Sequence, residues 1–231
     1  MIQCAKQIFL KGLKDEPSIL AGFFKKVTFG KKPEKLTIRV GARGYYRLYI
    51  NGKFASLGPA RAEHGYLRID EFDIAKFVEE GENTFAFEIM GYNMKENSFL
   101  TYEYSVLIAE AEADGNIVLA TDASWNGGRI YHKQLNIEPL SFGRRAPGEY
   151  YILDDEFKLW KTKGFSVPFE VVEITAPVTF LPRGTLMPDL TVVRFGKPMG
   201  IYSMGPYNYP KFPEKLWWET NEYTSRAASH G

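Results

Sequence analysis

Apolar and polar residues alternate with a period of two along most of this chain. In Lys35-Leu36-Thr37-Ile38-Arg39-Val40, the residues Leu36, Ile38 and Val40 share one face, the pattern of a half-buried strand. Tyr46, Leu48 and Ile50 repeat it in the next run, and Phe85, Phe87 and Ile89 line one face of a third. Two dipeptides punctuate these runs. Asn51-Gly52 follows Ile50, and Asp114-Gly115 separates residues 104–113 from 116–121. Residues of these types tolerate positive φ, which a two-residue hairpin turn needs. Residues 169–174 predict a late strand, and Trp160 falls in another. Trp125 and Trp160 read as core or inter-sheet anchors rather than as ligand platforms.

Helical periodicity is scarce. The best candidate is residues 73–81, where Asp73 would cap the free N–H groups and Gly81 would supply a left-handed stop. Strands separated by turns, with so little helix, predict an all-β fold: an antiparallel jelly-roll-type β-sandwich with one short helix and a Pro-rich C-terminal extension. Composition shifts near residue 177, and 7 of the 13 prolines lie between Pro177 and Pro213. Proline lacks a ladder donor, so this stretch cannot be central sheet. The expected domains are a sandwich over residues 1–176 and a strap and tail over 177–231, leading toward a missing or adjacent domain. Within the tail, Leu216, Trp217 and Trp218 predict a short helix over 214–226 that needs something to pack against.

Composition narrows the function. The chain has 231 residues, 45% hydrophobic and 25% charged, which excludes disorder throughout. A net charge of +1 argues against a nucleic-acid binder. A single cysteine, Cys4, excludes an intrachain disulfide and a cysteine-based metal site. The three histidines, His64, His132 and His230, have no ligand spacing, so no metal and no cofactor is expected. No apolar run reaches the ~18 residues of a membrane span. Residues 1–6 lack the charged-then-apolar order of a signal peptide. The compartment stays open between the cytoplasm and, after removal of a signal, the periplasm or exterior.

Catalytic signatures are missing: there is no phosphate-binding Gly-rich loop, no Gly-X-Ser-X-Gly elbow and no His-Glu-X-X-His. No catalytic residue is assigned. Glu63, Asp70, Glu71 and Asp73 read as loop and cap acids. Asp154-Asp155-Glu156 reads as a solvated turn, with cation binding as the alternative. Two segments combine ring faces with hydrogen-bonding groups, as saccharide sites do. One is Gly91-Tyr92-Asn93-Met94-Lys95-Glu96-Asn97; the other is Arg61-Ala62-Glu63-His64-Gly65-Tyr66. The candidate carbohydrate-binding residues are therefore Arg61, Glu63, His64, Tyr92, Asn93 and Asn97. Tyr92 would stack on a pyranose face, the asparagines would take hydroxyls, and Arg61 or Glu63 would fix orientation. The bland alternative is that both loops simply pack.

Several pieces, in order, resemble a known family. Gly44-Tyr45-Tyr46-Arg47-Leu48-Tyr49-Ile50-Asn51-Gly52-Lys53 resembles a strand and hairpin in the N-terminal β-sandwich domain of bacterial α-L-rhamnosidases, a galactose-binding-like fold. Phe72-Asp73-Ile74 with Glu80-Gly81-Glu82-Asn83, then Asp114-Gly115, Thr121-Asp122-Ala123-Ser124-Trp125 and Gly148-Glu149-Tyr150 are similar to its later segments. The chain departs from the pattern at Tyr151-Ile152-Leu153-Asp154 and at Met90-Gly91-Tyr92-Asn93. The resemblance implies a non-catalytic accessory domain of a glycoside hydrolase, supporting the catalytic domain or binding carbohydrate weakly. Its implied partner is an (α/α)6 barrel that holds the catalytic carboxylates. A free-standing carbohydrate-binding module and a purely structural interaction domain are the alternatives. Exposed aromatics along one loop edge would favour binding, and an apolar patch near residues 177–218 would favour structure.

Overall fold

The computed structural model describes residues 2–91, 93, 104–131, 155–191 and 196, without the side chains of 155–158. Two sheets face each other. The first has the order β11 (Val171–Glu173), β1 (Ile8–Leu10), β8 (Val106–Ala113), β3 (Leu36–Arg43), β6 (Tyr66–Asp73) and β12 (Thr179–Pro182), with β9 (Asn116–Ala120) also paired to β8. The second runs β10 (Asn126–Arg129), β2 (Ile19–Phe29), β7 (Gly81–Gly91), β4 (Tyr45–Ile50) and β5 (Lys53–Gly58). Pairing is antiparallel except between β12 and β6. The fold is an all-β sandwich, as the period-two pattern predicts.

The alternating positions form the core. Leu36, Ile38 and Val40 from one sheet meet Tyr46, Leu48, Ile50, Phe85, Phe87 and Ile89 from the other. Each fully buried large side chain contributes on the order of 2 kcal/mol. Trp125 closes this core at 3% exposure, with its ring 5.9 Å from that of Phe87. Both outer faces are partly covered too. Leu67, Ile69 and Ile108 pack under Ala5, Ile2, Val178 and Phe180. On the other sheet, Leu20, Phe24, Ala86 and Met90 pack with Ile130, Trp160 and Phe165.

Two helix expectations need correction. Residues 73–81 form no α-helix: β6 runs to Asp73, a 3-10 turn covers Ala75–Phe77, and β7 starts at Gly81. The Ile74 N–H donates to Leu36 O, continuing the sheet. The Asn83 side chain accepts from Glu79 N–H and donates to Glu79 O, so a side chain replaces helical partners. Among the described residues the α-helix is instead α1 (Asp155–Lys163), and Trp160 lies on it rather than on a strand. Nine residues make a marginal helix in water, so α1 depends on packing. Trp160 is 3% exposed and stacks on Phe165 at 5.1 Å. A Cβ at Gly22 or Gly128 would strike the Phe165 ring, so those glycines make room for it. Asp155 and Glu156 open this helix rather than a turn.

The chain divides into two compact units, Met1–Pro188 and Asp189–Gly231. The sandwich, α1 and β12 lie in the first. In the second, Asp189 Oδ1 accepts from the Thr191 N–H and hydroxyl. The helix predicted over 214–226 lies outside the described residues.

Candidate functional site

Between β5 and β6 the chain leaves the sheets, and this loop carries the 61–66 segment. Gly65, at φ +80°, and the Tyr66 N–H donating to Glu63 O close a turn that returns the chain to β6. The loop walls a hollow of about 50 Å³. Arg61, Glu63 and His64 line it together with Pro59, with Arg43 and Tyr45 from the β3–β4 junction, and with Tyr66 and Arg68 from β6. Three of the predicted site residues are thus brought together.

The rim is aromatic and the walls are cationic. Tyr45 and Tyr66 are each 40% exposed, whereas most aromatics among the described residues pack into the cores. Arg68 donates through Nε to Arg61 O and through Nη1 to Pro182 O, both at 2.8 Å. These acceptors are neutral carbonyls, so its charge is not cancelled there. Arg43 is buried, and its guanidinium lies 4.3 Å from the Tyr104 ring centroid. The cavity is far smaller than the ~300 Å³ of an enclosing ligand pocket. A ligand here would seat one substituent in the hollow and lay its ring against the rim.

Adjacent to Pro59, Gly58 lies against the fully buried Asp70 carboxylate, which a Cβ at this position would overlap. Tyr46 Oη donates to Asp70 Oδ2 at 2.6 Å, and Arg183 Nη1 donates to Oδ1 at 2.7 Å. Burial first, and then the Asp70 charge, pushes the Tyr46 phenol far above its ordinary value. This cluster joins the hollow's supporting strands and ties β12 to them. It is a structural acid, not the loop acid that the sequence suggested.

Asn93 does not line the hollow. Its Nδ2 donates to Lys14 O at 2.9 Å and Glu16 O at 2.8 Å, and its Oδ1 accepts from Ser105 Oγ. The amide is engaged in tying loops together. Met90, near the end of β7, pairs with Tyr45, so this strand end does approach the hollow's rim. Tyr92 and Asn97 lie outside the described residues. Sequence reasoning missed Tyr45, Arg43 and Arg68. Alternation held the signal for the first: with Tyr46 committed to the core, Tyr45 must face outward.

A second, open hollow of about 410 Å³ is lined by Cys4, Lys25, Lys26, residues 117–120 and Asp122. It offers aliphatic and lysine side chains without an aromatic ring. Among the described residues, no group of three metal-binding side chains converges, and no helix is long and apolar enough to cross a membrane.

No protein-family model matches the sequence, and no curated protein matches it. Solved structures do. A GH78 family rhamnosidase of Bacillus sp. GL1 superposes with a TM-score of 0.71 at 23% identity, over 81% of this chain and 20% of that one. The α-L-rhamnosidase from Dictyoglomus thermophilum gives 0.58 at 21%, over 77% of this chain and 22% of its own. That from Aspergillus terreus gives 0.58 at 17%, over 75% and 21%. At these identities the likeness is one of fold. The sandwich is an architecture also carried by α-L-rhamnosidase chains, and this chain spans about a fifth of their length.

Proposed function

We propose that this chain is a non-catalytic accessory β-sandwich of an α-L-rhamnosidase-like glycoside hydrolase, and that the hollow beside the 61–66 loop holds one end of a saccharide. The observation that carries the reading is the pair of exposed rings, Tyr45 and Tyr66, flanking a hollow lined by Arg61, Glu63 and His64. A pyranose presents C–H faces that lie on aromatic rings and hydroxyls that bond to charged and polar groups. One small, open hollow gives few contacts, so affinity should be on the order of millimolar.

The test is titration of the 231-residue chain with rhamnose, galactose and glucose, following backbone amide shifts. Shifts at residues 59–68 that disappear in Tyr45→Ala and Tyr66→Ala support the reading. No shift at high sugar concentration refutes binding and leaves the supporting role. That second role, packing on a catalytic (α/α)6 barrel, is favoured by the rhamnosidase chains being about five times longer than the part this chain matches.

A further inference from the structure

The 61–66 loop is held from outside by β12. Gly65 O accepts from the Thr179 N–H at 3.0 Å, where β12 begins. Arg61 O accepts from Arg68 Nε, and Arg68 Nη1 donates in turn to Pro182 O, where β12 ends, both at 2.8 Å. Two loop carbonyls therefore depend on β12, one directly and one through Arg68. The second hold is conditional. A long arginine side chain loses rotamer freedom when it is fixed. The bond to Pro182 O fixes one end of the planar guanidinium and so aims Nε at the loop. Gly184 leaves room for this, since a Cβ there would come within 2.8 Å of Arg68 Nη1. β12 has its own anchors: Arg183 donates to buried Asp70, and Phe180 packs on Leu67 and Ile69.

We propose that Arg68 is a positioning residue that couples the hollow to β12. While β12 lies on β6, Arg68 and Thr179 hold the 61–66 loop in the shape that takes the saccharide; when β12 leaves, both holds go. The ligand half rests on the carbohydrate reading of the hollow, whereas the hold on the loop does not. Thr179 and Pro182 lie outside the hollow's lining, so β12 acts on the ligand through the loop. Coupling is reciprocal: a sugar in the hollow must tighten β12 by the factor by which β12 tightens the sugar.

The experiment compares the 231-residue chain with two variants. Arg68→Lys keeps the cation but cannot span both carbonyls. Thr179→Pro removes the donor to Gly65 O at the first residue of a strand, where proline is tolerated. Each protein is titrated with rhamnose and galactose. Amide hydrogen exchange is followed at Tyr66, whose N–H closes the loop on Glu63 O, and at Phe180 and Leu181 in β12. Both variants should weaken sugar binding and speed Tyr66 exchange about fivefold, the low end for coupled sites. The urea midpoint and exchange in β3 and β7 should stay near those of the unaltered chain. Saturating sugar should slow exchange at Phe180 and Leu181 in the unaltered chain and not in Arg68→Lys. Weaker binding in Arg68→Lys alone makes that residue a direct sugar contact and overturns the coupling. Faster exchange throughout, with a fallen midpoint, makes Arg68 merely structural and overturns it too. Unchanged Tyr66 exchange in both variants shows that β12 does not hold the loop. If the unaltered chain binds neither sugar, the carbohydrate reading and the ligand half fall together. Faster Tyr66 exchange in the variants then supports the hold on the loop, and unchanged exchange overturns it.

Discussion

Single charged residues in this sandwich act as anchors when donors replace their lost water. Glu110 is the clearest case. It sits on the outer face of β8, fully buried, and accepts from the backbone N–H groups of Gln3, Cys4 and Ala5 at 2.8–3.2 Å. Arg39 Nη1 stands 3.7 Å away. Burial raises its pKa, but the three N–H donors outweigh burial and hold the carboxyl below its ordinary value of 4.5. A depressed folded value stabilises the fold above the unfolded pKa, and that contribution disappears as pH falls through the folded one. Glu110→Gln should therefore cost on the order of 1–3 kcal/mol near neutral pH. It should also flatten the loss of stability below about pH 4.5. Urea midpoints for both proteins between neutral and acid pH test this. Acid limbs of equal steepness would refute the anchoring role.

At the scale of elements, the β4–β5 hairpin shows how one turn organises its neighbours. Asn51 and Gly52 have φ of +51° and +72°, as a type I′ turn requires. The Asn51 side chain donates to Phe77 O and Asn83 Oδ1 and accepts from Thr84 N–H. The turn thereby joins the 3-10 segment to the start of β7. A Cβ on Gly52 would come within 2.9 Å of the Thr162 methyl on α1. Gly52→Val combines a left-handed β-branched residue with that clash, and should cost about 1–3 kcal/mol. An unchanged melting temperature would sink this account of the turn.

For the whole molecule, the question is where the cooperative unit ends. The composition shift suggests residue 176. The physical contacts extend further. Thr179–Pro182 pairs with β6, Val178 and Phe180 cover its outer face, and Arg183 is the cation beside buried Asp70. A chain ending at Pro188 should unfold in one transition at the full-length midpoint. One ending at Ala176 should lose about 3–5 kcal/mol, because removing one partner strands a buried charge. Equal denaturant midpoints for the two truncations would show that β12 contributes nothing.

What the sequence determined by itself is what alternation and turn chemistry encode locally. One face of each of β3, β4 and β7, both hairpin dipeptides and the all-β class follow from side chains pointing alternately to a core and to solvent. The 61–66 loop was legible as a candidate because it combines a ring face with hydrogen-bonding side chains. Tertiary structure decided the rest. Ile19-Leu20-Ala21-Gly22-Phe23-Phe24 shows no alternation, yet it begins β2, which pairs with β7 over 11 residues. Its outer face is buried under Trp160 and Phe165, so both faces are apolar and the period-two signal vanishes. The same contact makes Trp160 helical, since α1 is held by what it covers rather than by its own pattern. The hollow's lining was equally invisible: Arg43, Arg61 and Arg68 lie on three segments, and the adjacency of β3 and β6 brings them together. Local periodicity reports which way a side chain faces. It does not report what the fold sets opposite it.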